Sequence, residues 1–222
     1  MSDASVTLAV LGGTGKEGKG LAFRWAKAGY KVIIGSRDIE KARSAAAELN
    51  SLLGQEIVEG LDNLTAAMQA SLVVVTVPYS AHRATLETVK SAMQGKILVD
   101  VTVPLVPPKV IKVQMPPAGS AAQEAREILG EGVEVVDAFQ SISYEHLMVG
   151  DEVPCDVLVT GSSKEARLQV IKLVEAAGLT GWDAGPIENS VVVEGLTSLL
   201  IYINKQYGST HAGIKITGVH KS

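Results

Sequence analysis

The sequence VTLAVLGGTGKEGKG, residues 6–20, decides the fold of this chain. An apolar run typical of a buried strand leads into Gly13-Thr14-Gly15-Lys16-Glu17-Gly18, and a helical pattern follows at once. A G-x-G-x-x-G pattern between a strand and a helix is the dinucleotide-binding fingerprint. Glycine permits the tight turn and a close approach of the backbone to a pyrophosphate, whose charge the helix N-terminus attracts. The stretch therefore predicts a dinucleotide site; a glycine turn with a purely structural role is the alternative.

Apolar strand patterns alternate with helical patterns along the chain. Residues 30–35, 72–77 and 96–101 are such apolar runs. Aromatic residues make up only 4% of the chain, so Val, Ile, Leu and Ala supply the core, which suits a buried parallel sheet. We expect an α/β fold, with a Rossmann-type doubly wound mostly parallel sheet and a smaller C-terminal α/β domain.

Composition excludes several functional classes. The net charge of the 222 residues is −4, without long basic runs, which argues against nucleic acid or an anionic membrane as a partner. A single cysteine, Cys155, excludes an internal disulfide and a multi-thiolate metal site. Neither a signal-peptide pattern nor an apolar run of about 20 residues is present, so we expect a cytoplasmic protein.

The end of the second strand predicts which dinucleotide binds. NAD enzymes place an acidic residue there for the ribose 2′-OH, whereas this chain has Gly35-Ser36-Arg37. A serine hydroxyl and an arginine fork can bind a 2′-phosphate, and Lys41, one helical turn beyond, can add a second positive charge. Asp38 suits the N-cap of the next helix. The sequence therefore favours NADP(H), with a solvated helix-start role for Arg37 as the alternative.

Further cofactor contacts are expected where the fourth strand ends. Val77, Pro78 and Tyr79 follow this strand and should lie along the cofactor between adenine and nicotinamide. His82 follows in the first turn of a helix, where a polar surface or nucleotide-edge position is expected. Five prolines, the first Pro104 and the last Pro117, indicate a long irregular loop of the kind that is usually functional.

The C-terminal part contains a second unit. Residues 1–138 are predicted to form the NADP-binding domain, and residues 139–222 a smaller domain that closes the substrate cleft. The boundary is placed at the polar crossing after the sixth strand. A helix over 189–207 is apolar nearly all round from 191 to 203, so we expect it to be buried on most sides at the centre of the second unit.

No residue pattern points to acid–base, nucleophilic or metal chemistry. His146 and His211 are isolated histidines, and no His, Asp and Glu cluster has metal-ligand spacing. Hydride transfer to an ordinary carbonyl would need a proton donor nearby. If the second substrate is itself a hydride carrier, the protein need only hold two rings face to face. We therefore assign no catalytic residue.

Motifs at both ends of the chain carry a family likeness. They are Leu11-Gly12-Gly13-Thr14-Gly15, Gly18 to Leu21, Gly35-Ser36-Arg37, Thr76-Val77-Pro78-Tyr79, Asp183-Ala184-Gly185-Pro186, Asn189-Ser190, Val193-Glu194-Gly195-Leu196-Thr197 and His211-Ala212-Gly213-Ile214. Over nearly its whole length the chain thus resembles the F420-dependent NADP reductases.

The resemblance implies reversible hydride transfer between NADPH and the deazaflavin coenzyme F420. It assigns Thr14, Ser36, Arg37 and Lys41 to the phosphates of NADP. It assigns the cleft wall to Val103-Pro104, the crossing, and the C-terminal helix and tail. The likeness also favours a homodimer.

The crossing departs from the family pattern. Family members carry one or two histidines where this chain has Gln140-Ser141, whereas Ile142 is retained. Residues Gln140, Ser141, Ile142 and Ser143 are the candidate substrate-binding residues, and Gln140 can hydrogen-bond a deazaflavin carbonyl. Because of this departure, two alternatives stay open. One is an NADP-dependent reductase of a flavin, imine or small carbonyl substrate, and the other is a non-catalytic NADP-binding sensor.

Overall fold

A computed structural model describes residues 6–148 and 153–219. The N-terminal MSDASV, which predicts no signal peptide, lies outside these residues except for Val6. The strands are Thr7–Leu11 (β1), Lys31–Ser36 (β2), Val58–Asp62 (β3), Leu72–Val75 (β4), Ile97–Asp100 (β5), Glu134–Asp137 (β6), Asp156–Gly161 (β7) and Thr180–Pro186 (β8). The α-helices are Lys16–Lys27 (α1), Ile39–Leu53 (α2), Asn63–Gln69 (α3), Tyr79–Val89 (α4), Ala121–Leu129 (α5), Lys164–Ala176 (α6) and Ser190–Tyr207 (α7).

The strands form one sheet in the order β3-β2-β1-β4-β5-β6-β7-β8. Strands β1 to β6 are parallel, β7 runs antiparallel to β6, and β8 is parallel to β7. The first six strands have the doubly wound Rossmann order, which confirms the predicted fold class. The strand order reverses at β1, which lies between β2 and β4.

Alternating side chains of each central strand enter two different core layers. Leu8 and Val10 of β1 pack in one fully buried cluster with α1, α2 and α6, whereas Ala9 and Leu11 pack in another with α3, α4 and α5. Because helices cover both faces, the central strands are apolar on both sides. This is why the sequence shows continuous apolar runs there.

Side chains cap the N-termini of α2 and α5. The Asp38 carboxylate accepts hydrogen bonds from the N–H groups of Glu40 and Lys41 at the start of α2. Ser120 Oγ accepts from Gln123 N–H, 3.0 Å away, at the start of α5. The Asp38 cap was predicted, and each cap satisfies backbone donors that a helix leaves unpaired.

The sheet continues across the predicted domain boundary. Asp137 of β6 pairs with Thr160 of β7, so residues after 138 extend the N-terminal sheet. Trp25 Nε1 of α1 also donates a hydrogen bond to the Leu173 carbonyl of α6, at 2.9 Å. A division of the chain into two domains stays a prediction.

The expectation that α7 is buried on most sides is wrong. Only one face, with small and polar residues such as Ser190, Gly195 and Ser198, is buried, and it packs against α5 and β7. The other face is exposed and contains Val191, Val192, Leu199, Tyr202, Ile203 and Tyr207, which we call the apolar face of α7. An apolar pattern all round does not say which side the neighbouring elements cover. Among the described helices, none is long and apolar enough to cross a membrane.

Candidate dinucleotide-binding cleft

A cleft of about 700 Å³ opens at the carboxyl ends of β1, β4 and β5. It lies beside β1, where the strand order reverses, which is the usual ligand position in an open parallel sheet. Its wall comes from the glycine loop, the ends of β2 and β4, the proline-rich loop after β5, the crossing after β6, and α7.

The glycine loop forms one end of the cleft. Gly12 has φ +76° and donates its N–H to the Gly35 carbonyl at 3.0 Å, which joins the loop to the end of β2. Gly15 is the N-cap of α1, and no side chain caps this helix. Thr14, Gly15, Lys16 and Glu17 line the cleft. Partial burial raises the pKa of the Glu17 carboxyl to about 8.

Gly13 and Gly18 support this loop from beneath and do not line the cleft. A Cβ on Gly13 would lie 2.8 Å from the Val10 carbonyl oxygen. A Cβ on Gly18 would collide with Thr76 Oγ1 and lie 2.9 Å from Gly13 Cα. These two glycines therefore allow α1 to pack closely against β1 and the end of β4.

Ser36 and Arg37 lie together at the next part of the cleft wall. Ser36 Oγ accepts from Asp38 N–H at 3.1 Å, which leaves its hydroxyl proton available to a ligand. Arg37 is exposed and has no hydrogen-bond or ion-pair partner among the described residues. Lys41 lies outside the wall, with its Nζ 3.8 Å from Asp38 Oδ2. The structure thus groups Ser36 with Arg37 but not with Lys41.

Asn63, the first residue of α3, is a wall residue that sequence reasoning missed. Its side chain is buried, and its Oδ1 has no hydrogen-bond partner among the described residues. A buried acceptor without a partner costs about 1–3 kcal/mol, so a ligand donor at this point would be stabilising. In the sequence, Asp62-Asn63 is typical of a helix start, which does not indicate that the Asn63 side chain reaches the cleft.

The middle of the wall contains Val77, Pro78 and Tyr79, which were expected beside the cofactor, and Val103, which was expected in the cleft wall. Their contact with a cofactor stays a prediction. Tyr79 O–H donates to Glu124 Oε2 at 2.9 Å, and this contact holds the ring beside the cleft. Burial, and then the Glu124 carboxylate, raise the pKa of Tyr79 to about 12, so the phenol stays protonated.

His82 does not lie at the surface or at the nucleotide edge, so that prediction is wrong. It is fully buried, and its Nε2 lies 2.7 Å from Asp100 Oδ2 at the end of β5. Burial lowers the pKa of His82, but the neighbouring Asp100 carboxylate outweighs it and the net pKa is raised. The position of α4 against the sheet directs this side chain inward, which its place in the first helical turn did not indicate.

Three buried carboxyl groups lie behind the cleft, and we call them the acid cluster: Asp100, Asp137 and Glu194. Glu194 of α7 accepts hydrogen bonds from the N–H groups of Ala121 and Ala122, at 2.7 and 3.0 Å. Burial outweighs these bonds and raises the pKa of Glu194 to about 8. Burial also raises the pKa of Asp137 well above its usual range, and the other two carboxyls add to this.

The crossing after β6 closes the far end of the cleft. Gln140 and Ile142 line the wall, whereas Ser141 and Ser143 do not. Ser141 is buried beneath the wall and Ser143 is half-buried beside it. Thr197 of α7, the helix that the family likeness assigned to the cleft wall, lines the wall and donates its hydroxyl to the Gln140 carbonyl at 2.8 Å.

Metal chemistry has no support in the described part of the chain, where no group of three or more His, Cys, Asp or Glu side chains is placed to hold an ion. The cleft instead offers backbone groups, hydroxyls, an amide and an arginine around an apolar floor. This set of groups suits a phosphorylated dinucleotide at one end and a planar ring at the other.

Comparison with known proteins agrees with this geometry. Residues 7–104 match the family model described as NADP oxidoreductase, coenzyme F420-dependent. The F420-dependent NADP reductase of Methanocaldococcus jannaschii is 39% identical over 221 residues, which cover 96% of this chain and 98% of that protein. The chain belongs to the F420-dependent NADP reductase family. The Methanothermobacter marburgensis enzyme of the same name is 40% identical over 220 residues, again with 96% and 98% coverage.

A solved structure extends the family likeness to three dimensions. It comes from Arthrobacter sp. FB24 and is provisionally assigned as an F420-dependent NADP reductase. The TM-score is 0.79 at 25% identity, over 96% of this chain and all of that one. The fold of this chain is therefore shared with a solved structure over nearly the whole length of the chain.

Proposed function

We propose that this protein transfers a hydride reversibly between NADPH and coenzyme F420. The observation that carries the proposal is a single continuous cleft in a chain of the F420-dependent NADP reductase family. At one end the cleft has the Ser36–Arg37 pair and at the other the crossing with Gln140 and Ile142. Both ring systems can therefore be held in one enclosed space, which is what direct hydride transfer requires.

NADP(H) binds along the glycine loop in this proposal. Its pyrophosphate lies at the uncapped N-terminus of α1, where the helix dipole and backbone N–H groups favour negative charge. Ser36 and Arg37 bind the 2′-phosphate through charge-assisted hydrogen bonds. Asn63 Oδ1 then accepts a hydrogen bond from a hydroxyl or amino group of the same nucleotide. These contacts leave the nicotinamide beyond Val77 and Pro78.

The second substrate binds against the nicotinamide, between Val103, Ile142 and Thr197. NADPH gives a hydride to the deazaflavin ring, which also takes up one proton from solvent, so that NADP⁺ and F420H₂ are the products. Lining side chains act by placing the rings and by excluding water from between them. No side chain needs to act as acid or base on the carbon that receives the hydride.

A homodimer is part of the proposal. The apolar face of α7 is exposed in the single chain and runs along one side of the helix through Val192, Leu199 and Ile203. A contiguous exposed apolar patch of this kind marks an interaction surface. A second copy of the chain would cover it through a two-fold contact of the same helix.

A turnover assay tests the proposed function. Purified protein is mixed with NADPH and oxidised F420, and the deazaflavin absorbance is followed in parallel with reactions that contain FMN or a cyclic imine. The proposal expects the F420 absorbance to fall while the other acceptors remain unreacted. Turnover of FMN or the imine with F420 unchanged would overturn it in favour of a reductase of those substrates. No turnover with any acceptor would favour the NADP-binding sensor.

A further inference from the structure

Gln140 carries an orphaned acceptor in the cleft wall. The residue is 5% exposed and lines the cleft, and its buried side-chain Oε1 has no hydrogen-bond partner among the described residues. A buried amide oxygen without a partner is destabilising by about 1–3 kcal/mol. A bound molecule with a hydrogen-bond donor at this point would remove that cost.

The orientation of the amide is fixed from behind. Gln140 Nε2 donates to the Asp100 carbonyl at 2.7 Å and also to Asp137 Oδ1. The Asp100 carbonyl can only accept hydrogen bonds, so a rotation by 180° would place the amide oxygen against this oxygen and remove the hydrogen bond that Nε2 donates to it. With both N–H groups of the amide engaged, Gln140 has only an acceptor left for a ligand.

The backbone of Gln140 is held as firmly as its side chain. Thr197 Oγ1 donates to its carbonyl at 2.8 Å. The preceding residue, Phe139, has φ +75°, which is uncommon for an aromatic residue, and its buried ring packs edge-on against Trp25 at 5.8 Å. The side chain therefore cannot swing to present its N–H groups to the cleft without breaking several contacts.

We infer that Asp137 is a positioning residue that locks Gln140 as a hydrogen-bond acceptor, so that the site selects a second substrate presenting a ring N–H. This inference rests on the proposed function, since it concerns the ring bound opposite the nicotinamide. A deazaflavin meets the requirement through the imide N–H of its pyrimidine ring, and a ring with only carbonyl oxygens at that edge does not. It also replaces the sequence-based expectation that Gln140 hydrogen-bonds a deazaflavin carbonyl.

Asp137 has no direct contact with the cleft, which makes the inference testable by pairs of variants. Asp137→Leu removes the acceptor and keeps the branched shape at Cγ in a larger side chain, whereas Asp137→Asn keeps a carbonyl oxygen for Gln140. The asparagine amide can then donate to Thr160 Oγ1, which contacts Asp137 Oδ2 at 3.4 Å. Because burial raises the pKa of Asp137, the neutral asparagine resembles its protonated form.

Binding constants for oxidised F420 and for NADPH are measured for these variants, for Gln140→Met, and for the double variant Asp137→Leu/Gln140→Met. Asp137→Leu and Gln140→Met should each weaken F420 binding about tenfold, the equivalent of one lost hydrogen bond. Asp137→Asn should stay within about twofold of the wild type. The double variant should be no weaker than Gln140→Met, because Asp137 acts through Gln140. NADPH affinity should not change.

Additive losses in the double variant, or equal losses for F420 and NADPH, would overturn the inference. The first would mean that Asp137 acts independently of Gln140, and the second that the oxygen faces the nicotinamide amide or that the fold is damaged.

A second measurement needs neither substrate. In ¹⁵N-labelled protein without ligand, the side-chain N–H protons of Gln140 should be protected from exchange and should lose protection in Asp137→Leu. Fast exchange in the wild type would overturn the locked orientation. If wild-type protein did not bind F420, the proposed function would fail while this measurement still decided the orientation. If Asp137→Leu did not fold, Gln140→Met and the wild-type exchange data would carry the test.

Discussion

His82 Nε2 and Asp100 Oδ2 lie 2.7 Å apart, and both side chains are fully excluded from solvent. The contact joins α4 to the end of β5 directly behind the cleft. Asp100 also accepts Thr102 N–H through its other carboxylate oxygen, at 3.0 Å. The pKa of His82 is raised beside Asp100, and burial favours the protonated form of Asp137 and Glu194. A layer of buried polar side chains thus lies behind the apolar floor of the cleft.

The acid cluster makes the stability of the protein depend on pH. Burial raises the pKa of Glu194 to about 8 in the folded protein, against 4.5 in the unfolded chain. Between these values the folded state holds a proton that the unfolded chain releases, so the free energy of unfolding falls as pH rises. The raised pKa values of Asp137 and of His82 act in the same direction. One proton contributes a slope of up to about 1.4 kcal/mol per pH unit.

Glu194→Gln should therefore flatten the fall in unfolding free energy between about pH 5 and 8, measured by denaturant titration at several pH values. Glu127→Gln, at an exposed position of α5, is the matched control and should leave the slope as it is. An identical slope in Glu194→Gln and the wild type would show that Glu194 is ionised throughout this range.

Arg37 should determine the preference for NADPH over NADH. Arg37→Ala removes a charged donor to the 2′-phosphate, at a cost of about 1.5–3 kcal/mol, or roughly ten- to hundred-fold in NADPH affinity. NADH binding should hardly change. Lys41→Ala is the control, because Lys41 lies outside the cleft wall. Titration of both nucleotides checks this, and an equal loss of NADPH and NADH would exclude a contact between Arg37 and the 2′-phosphate.

The glycines of the loop should separate into two functional kinds. A Cβ on Gly15 meets only the Gly12 carbonyl oxygen at 3.4 Å, so Gly15→Ala should fold normally. Its methyl group would stand in the cleft, where the pyrophosphate approaches the backbone, and NADPH affinity should fall. Gly18→Ala should instead lower the free energy of unfolding by about 1–3 kcal/mol through overpacking against Thr76 and Gly13.

Denaturant unfolding and NADPH titration of both variants distinguish these effects. An unchanged NADPH affinity in Gly15→Ala would contradict the placement of Gly15 in the cleft wall. An unchanged free energy of unfolding in Gly18→Ala would contradict the role of Gly18 in supporting the loop.

The apolar face of α7 should hold two copies of the chain together. Leu199→Glu/Ile203→Glu places two charges on this face and should convert a dimer to a monomer in light-scattering measurements. Leu52→Glu/Met68→Glu, at exposed apolar positions of α2 and α3, is the matched control and should leave the mass unchanged. A wild-type protein that is monomeric at micromolar concentration would contradict the proposed homodimer.

The fold and the glycine end of the cleft could be predicted because their signals are local. The run from Leu8 to Gly18 contains both the strand and the turn chemistry, and right-handed crossovers leave few possible strand orders for a parallel sheet. Ser36 and Arg37 could be predicted as site residues from their distance to that loop along the sequence. These features depend on neighbours in the sequence and hardly on distant packing.

The remaining site residues depend on distant packing, which no single stretch reveals. His82 is buried because α4 sits against β5, and Asn63 and Thr197 reach the cleft from helices whose rotation the sequence does not specify. The orientation of Gln140 is set by two strand ends, at Asp100 and Asp137. For α7, apolar residues on every side left open which face the rest of the chain covers.

Direct transfer of a labelled hydride tests the central claim. NADPH that carries deuterium at nicotinamide C4, on the face from which the enzyme takes the hydride, is incubated with oxidised F420 in ordinary water. The reduced deazaflavin is then analysed by mass spectrometry. Direct transfer inside one cleft predicts that the recovered F420H₂ is one mass unit heavier. Direct transfer would be contradicted if both NADPH preparations, one deuterated on each face, gave unlabelled F420H₂. It would also be contradicted if F420 were not reduced at all.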